Sequence, residues 1–401
     1  MQRSVKLQSG TKTALLFGAG YCALHLAPQL QSAGYSLFAT VRDSQKTAFL
    51  RARGIEPIKF TGKINPSLRR VLGDAELILS SVPPLRGGVD PILSALPSSP
   101  DVLAPQVKWA GYLSATSVYG DRAGQWAFED ELLRPSTARG RARIEAELAW
   151  LETGWPVHVF RLAGIYGPKI GGGTSAVTRN PLERLQKGKA RAVVKPGHIV
   201  NRVHVDDICS ALMGSLAAPN PMRVYNIADG HPAPPQDVLN FGARLIGAPL
   251  PPEVAVSDPR VSDMARSFYK DNKRVDISRA RTELGFAPRF ESYRKGLLSL
   301  MRGNSSDHVY LAGHITVPAK ARRDVLALLP QHIRLTRREA GCLRFDVTQD
   351  TKQPSRFHVI EVFSSPAAFD AHQRRSRDSA WARATENCPR DYVIAGHNAA
   401  G

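Results

Sequence analysis

The sequence is poor in cysteine, with four in 401 residues: Cys22, Cys209, Cys342 and Cys388. They are far apart and form no CxxC pair, so neither a disulfide framework nor a cysteine zinc site is expected. No metal site is expected from the histidines either, because HxH and HxxxH spacings are missing. Apolar runs are short. None approaches the roughly 18 residues of a membrane span, so no membrane partner is expected. The first apolar stretch, residues 14–17, runs into glycines and is too short for a signal-peptide core. A cytoplasmic setting is the expectation. Acidic residues are also scarce, 35 against 54 Lys+Arg, for a formal charge of +19. Residues 308–401 hold 14 of the basic and 9 of the acidic residues, so the excess is no isolated tail. It favours anionic partners in general. No basic–aromatic motif accompanies it, so nucleic acid is not expected as a partner. A small-molecule substrate is.

The chain alternates strands and helices up to about residue 301. Residues 13–17, 36–41, 57–60, 77–82, 107–114 and 157–162 read as strands, and helix-length spacing lies between them, as at 142–151. Such alternation predicts a parallel sheet with helices on both faces, an α/β fold. Residues 301–307 (MRGNSSD) read as a linker. Beyond them the order β-α-β-β-α-β predicts a small α+β ferredoxin-like unit: strands 308–317, 343–347, 356–363 and 392–395, helices 321–337 and 365–375. Two domains are expected, 1–302 and 308–401.

Residues 15–23 (LLFGAGYCA) place Gly18, Gly20 and Ala23 in a GxGxxA turn between a strand and a helix. There Gly18 permits the tight turn, Gly20 lets backbone approach a pyrophosphate, and Ala23 allows close helix–strand packing. This is the Rossmann-type cofactor turn. Pro28 within the helix is a blemish. The second strand ends in Thr40-Val41-Arg42-Asp43. Val41 stands where an acid would hold the ribose diol of NAD, and Arg42 suits a 2′-phosphate. The expected cofactor is NADP, with NAD possible. A short glycine stretch at 171–173 reads as a flexible loop, and Asp206 and Asp207 as first-turn acids of a helix.

These residues, with 113–121 (LSATSVYGD), 159–168 (VFRLAGIYGP), 201–208 (NRVHVDDI), 224–229 (VYNIAD) and 272–274, resemble the extended short-chain dehydrogenase/reductase family. That family includes nucleotide-sugar epimerases and dehydratases. The resemblance runs from about residue 11 to 302. It implies that Ser81 and Ser114 at strand ends, Arg143, Arg161 and Tyr166 lie near the cofactor. The family's catalytic set is a Ser or Thr followed by Tyr-x-x-x-Lys. The set breaks here: Ala115 stands at the Ser/Thr position, Arg139 at the tyrosine and Arg143 at the lysine. The Arg139–Arg143 spacing keeps one helix face, but a guanidinium is no practical acid or base. The pattern resembles atypical members of the family. Thr116 and Tyr119 are the nearby substitutes that this region offers for catalysis.

Residues 312–317 (AGHITV), 340–345 (AGCLRF), 356–363 (RFHVIEVF), 367–372 (AAFDAH) and Trp381-Ala382-Arg383 resemble the antibiotic biosynthesis monooxygenase family. The resemblance implies a sheet-paired homodimer and, in some members, oxidation of phenols or quinols by O₂ without metal or flavin. A phenol must lose a proton first, and histidine suits that task near neutrality. His372 is the candidate. His314 and His358 would converge with it on one face of the sheet, beside an aromatic pocket of Phe345, Phe357, Phe363 and Trp381. Two whole-chain readings remain. One is a bifunctional redox protein, NADP-binding and monooxygenase-like. The other is a non-catalytic NAD(P) sensor whose C-terminal domain serves dimerisation.

Overall fold

The computed structural model describes residues 12–85, 87–171, 177–301 and 307–397. Part of the 171–173 glycine stretch and most of the 301–307 linker lie outside them, as do the two ends of the first resemblance. Seven parallel strands form one sheet. Across it they run Val224–Ile227, Val157–Leu162, Trp109–Ala115, Ala75–Ser80, Lys12–Phe17, Tyr35–Val41 and Ile55–Lys59. The chain therefore starts mid-sheet, moves outward one way, then returns and moves outward the other way. The reversal leaves a crevice at the carboxyl ends of Lys12–Phe17 and Ala75–Ser80, the usual ligand position in such sheets.

Alternation along each strand divides the core. Leu16, Leu37, Ala39, Leu77 and Leu79 pack on helices Tyr21–Ser32 and Val205–Ala217. Leu15, Phe17, Phe38, Ile78 and Tyr112 pack on the opposite side against Trp150 of helix Ala138–Leu151 and Leu68 of helix Pro66–Asp74. Burial on both faces explains why these strands read as unbroken apolar runs. Helix Tyr21–Ser32 continues through Pro28.

Contacts divide the chain into two compact units. The first holds the parallel sheet. The second takes Pro181–Ala192 and Asp237–Pro252 together with everything from Tyr293 on. Its antiparallel sheet runs Cys342–Gln349, Arg356–Phe363, Val309–Thr316, Arg390–Ala395. This is the ferredoxin-like order read from the sequence. Helices Ala319–Arg337 and Pro366–Arg377 cover one face, meeting Val309, Leu311, Phe345, Phe357 and Phe363. Ser365 caps the second of these by accepting from Ala368 N, with Pro366 at its first turn. The other face carries Tyr310, Ala312, Ile360 and Val362. It is packed by residues of helices Pro181–Gln186, Pro235–Ile246 and Tyr293–Met301. Arg344 fastens this packing, donating to the carbonyls of Arg244 (2.8 Å) and Leu245 (2.7 Å) at a helix C-terminus. Segments assigned by sequence to the first domain thus join the second unit, because the small sheet has two apolar faces and its own helices reach only one.

Candidate functional site

The glycine turn sits in the crevice. Gly18 has φ +86°, a conformation that side chains resist. A Cβ there would lie 2.9 Å from Val82 Cγ2, and one on Gly20 would lie 3.1 Å from Ser81 Oγ. Ser81 Oγ donates to the Gly18 carbonyl at 3.1 Å, and Thr40 Oγ1 accepts from Gly18 N at 2.9 Å. Strand ends on both sides thereby clamp the turn. Gly20 is the N-cap of the following helix. Among the described residues no side chain caps that end, and its first turn carries no acid. Exposed Arg42 stands at the end of the second strand, while Asp43 accepts from Gln45 N at 3.0 Å. The crevice thus has bare backbone N–H groups, no bulk at the turn and a cation at the second strand.

The neighbouring positions depart from a cofactor-facing reading. Arg161 is 4% exposed. Its Nη2 donates to Glu147 Oε2 at 2.8 Å and its Nη1 to Tyr119 OH and the Glu129 carbonyl, each at 3.0 Å. Ser114 Oγ donates to Glu147 Oε1 at 2.5 Å. Tyr119 is fully buried and donates to Asn226 Oδ1 at 2.7 Å. Burial pushes its hydroxyl up to about 12. Ser114, Tyr119 and Arg161 therefore form one internal network with Glu147, Asn226 and Glu129, whose Oε1 accepts from Asn226 N. Together they tie strand ends to one another. Tyr166 is also buried, beside His204, with no hydrogen-bond partner for its hydroxyl among the described residues. Thr116 is half-buried and opens the turn Thr116–Tyr119.

The two arginines at the catalytic positions part company. Arg143 reaches inward, donating to the Leu113 carbonyl at 2.8 Å and to Tyr112 OH at 3.2 Å. Arg139 is exposed, donates to Ser267 Oγ at 2.9 Å and lies over the Phe268 ring. Asp206 stays at its helix start. Asp207 is buried and accepts from Arg289 N (2.8 Å) and Phe290 N (3.1 Å), which makes it a fastener.

In the ferredoxin-like unit, His372 is a buried residue of helix Pro366–Arg377, 3% exposed. Its Nδ1–H donates to Glu339 Oε2 at 2.8 Å, leaving Nε2 as the basic atom, 3.9 Å from Glu361 Oε2. Glu339 is held in turn by Arg375, whose Nη2 also donates to Thr336 Oγ1 at 2.7 Å. Glu361 is buried with Oε2 unpaired, and burial together with Glu339 pushes it up to about 8. Phe345 and Phe363 flank the His372 ring, and His332 stacks on Trp381 with ring centres 4.7 Å apart. Burial, with the Arg375 charge and the neighbouring His372, drives His332 down to about 3. The expected convergence of three histidines does not occur. Residues 314 and 358 are even in a register where 357, 359, 361 and 363 face the helices, so they stand on the opposite face. Glu361 was legible: it interrupts the apolar alternation Phe357, Val359, Phe363. Glu339 had no such mark.

Among the described residues, no group of three metal-ligating side chains could hold an ion, and no helix is long and apolar enough to cross a membrane.

Comparison with known proteins matches this division. Residues 308–384 match the family described as "Antibiotic biosynthesis monooxygenase". "Protein YeeZ" of Escherichia coli (strain K12) is 30% identical over 287 residues, spanning 69% of this chain and 95% of that protein. A solved structure of a functionally unknown conserved protein from Silicibacter pomeroyi DSS is 42% identical. It has a TM-score of 0.66 and covers 73% of this chain and 98% of its own. UDP-glucuronic acid 4-epimerase from Bacillus cereus, solved in complex with NAD, is 17% identical with a TM-score of 0.56. It covers 71% of this chain and 96% of its own, a likeness of fold. The chain belongs to the family of Protein YeeZ, shares the fold of NAD-dependent epimerases and dehydratases, and carries an antibiotic biosynthesis monooxygenase domain at its C-terminal end.

Proposed function

We propose that this chain is a two-part redox protein: the parallel-sheet unit holds NADP(H), and the ferredoxin-like unit oxidises a small phenol or quinol. The observation that carries the reading is the Glu339–His372–Glu361 line beneath Phe345 and Phe363. A carboxylate on Nδ1 fixes the tautomer and leaves Nε2 to take a phenolic proton. His372 is lowered by burial, so it is neutral and ready to accept at pH 7. Gly18, Gly20 and Ser81 fit a dinucleotide's phosphates, and Arg42 fits a 2′-phosphate better than a ribose diol. When bound, such a cofactor supplies hydride. The chain's own contribution is to bind and orient it.

The test uses the full chain with a panel of quinones and hydroquinones, following O₂ uptake and NADPH loss. His372→Ala should abolish O₂ uptake and leave NADPH binding intact. Arg42→Ala should weaken NADPH about tenfold and NADH little, the loss of one charge-assisted contact worth roughly 1.4 kcal/mol. An unchanged O₂ rate in the His372 variant would sink the oxidase half.

The burial of Tyr119 and the arginines at 139 and 143 favour a second reading for the first unit, a sensor that binds NADP(H) without turnover. NADPH binding without consumption across the panel would select it. A homodimer would use a surface other than the sheet face that Leu297, Leu298 and Leu245 cover.

A further inference from the structure

The even-numbered face of the small sheet changes character along its length. Tyr310 and Ala312, paired with Val362 and Ile360, lie at an apolar end packed by helices. His314 and Thr316, paired with His358 and Arg356, continue the same face as a polar end. The His314 and His358 rings are 6.4 Å apart. Arg244 comes from helix Pro235–Ile246, and Arg294 from helix Tyr293–Met301. Asp350 follows one edge strand, and Asp391 lies on the other.

The carboxylates are already committed. Asp350 Oδ2 accepts from His358 Nε2 at 2.7 Å and lies 3.6 Å from Arg244 Nη2. Its Oδ1 accepts from Lys352 N and Gln353 N, at 2.8 and 3.0 Å. Asp391 Oδ1 accepts from Arg294 Nη1 at 2.6 Å, and its Oδ2 lies 3.7 Å from His314 Nδ1. Arg356 has no carboxylate partner among the described residues. Burial lowers both His314 and Arg244, and the Arg356 charge adds to the lowering of each. Three guanidinium groups thus face two carboxylates at a half-exposed spot, with two neutral imidazoles between them. Asp350 and Asp391 balance two of the three, and the remaining positive charge favours an anion that completes the set.

We propose that Arg356, Arg244, His314 and His358 form an oxyanion site for a phosphoryl group, separate from the glycine turn and from the His372 line. The guanidinium of Arg356 supplies fixed charge and a planar donor fork. Each imidazole adds a donor when it takes a proton. An anion bound there favours both imidazolium forms, so binding is accompanied by proton uptake. Asp350, Asp391 and Arg294, with Tyr293 beside Arg244, are the other titratable or charged groups that face this spot.

The test follows the ring protons of His314 and His358 by NMR in the ¹³C-histidine-labelled full chain, assigned through His314→Gln and His358→Gln. Inorganic phosphate and glycerol 3-phosphate are titrated against chloride at matched ionic strength. Either phosphate should raise both midpoints by about half a pH unit or more. Tighter binding of the ester than of phosphate would mark a phosphorylated metabolite, and equal binding free phosphate. Arg356→Gln should weaken binding at least fivefold, with Arg356→Lys retaining more of it. If Arg356→Gln fails to fold, Arg244→Gln replaces it, with the same loss expected. Phosphate acting no more than chloride, or unchanged shifts in the arginine variants, would overturn the proposal.

Discussion

The buried Arg161–Glu147 pair offers the sharpest test of what the region around Tyr119 is for. Both side chains are about 95% buried. Arg161 donates to Glu147 through Nε and Nη2, and spends Nη1 on Tyr119 and the Glu129 carbonyl. Glu147→Ala removes the only carboxylate on that guanidinium among the described residues and strips Ser114 of its acceptor. Leaving one member of a buried pair uncompensated costs about 3–5 kcal/mol. The lost serine bond adds about 1 kcal/mol. That is a large share of a typical folding free energy of ~5–15 kcal/mol. Urea unfolding followed by tryptophan fluorescence reads it, since Trp109, Trp150 and Trp155 lie buried in the same unit. The double variant Glu147→Leu with Arg161→Met removes both charges and should recover most of the loss. Affinity for NADPH should hardly move in the double variant. A Glu147→Ala cost below about 1 kcal/mol, or an Arg161→Met that weakens NADPH tenfold at unchanged stability, would show that these residues serve the pocket after all.

Glu361 gives a pH dependence. Its folded value near 8 lies above the ordinary carboxylate value, so below about pH 4.5 both states hold the proton and nothing is lost. Between there and about 8 the unfolded chain releases it first, and stability falls by about 1.4 kcal/mol per pH unit. Glu361→Gln should flatten this part of the profile, and superimposable unfolding curves from pH 5 to 8 would refute it. Asp207→Ala frees the backbone N–H groups of Arg289 and Phe290, for an expected loss of about 2–3 kcal/mol. Hydrogen exchange should then rise at those two amides, and protection unchanged there would refute the fastener role. Arg344→Ala should cost about 1–2 kcal/mol by exposing helix-end carbonyls. An unshifted thermal midpoint would argue against that cap.

The two largest sheets were legible because strand signals are local. The apolar run before Gly18 and the alternation in Arg356–Phe363 need no knowledge of the partner strand. The glycine turn was legible for the same reason: its chemistry belongs to consecutive residues. The network was not. Arg161 resembles a pocket residue when read alone, and only the long-range meeting with Glu147, 14 positions earlier on a helix, turns it into a buried pair. Glu339 was likewise invisible, since it sits past a helix end and reaches a histidine 33 positions away. Three histidines in one domain suggested one site, but register decides. Residues 314 and 358 share parity with the face that Tyr310 and Ile360 define, whereas His372 comes from a helix on the other side.

The same parity explains why the second compact unit takes in segments from before the linker. A four-stranded sheet has two faces, and the β-α-β-β-α-β order supplies helices to one. Tyr310, Ala312, Ile360 and Val362 therefore need a cover from elsewhere. A second copy of the domain is one way to provide it. Here Leu182, Leu185, Val238, Leu245, Leu297 and Leu298, all from earlier in the chain, do so within the same compact unit. Fully burying side chains of this size contributes about 1.5–3 kcal/mol each, so the cover carries a substantial part of this unit's stability. The polar linker marks a change of sequence pattern. Packing groups these earlier segments with the C-terminal sheet.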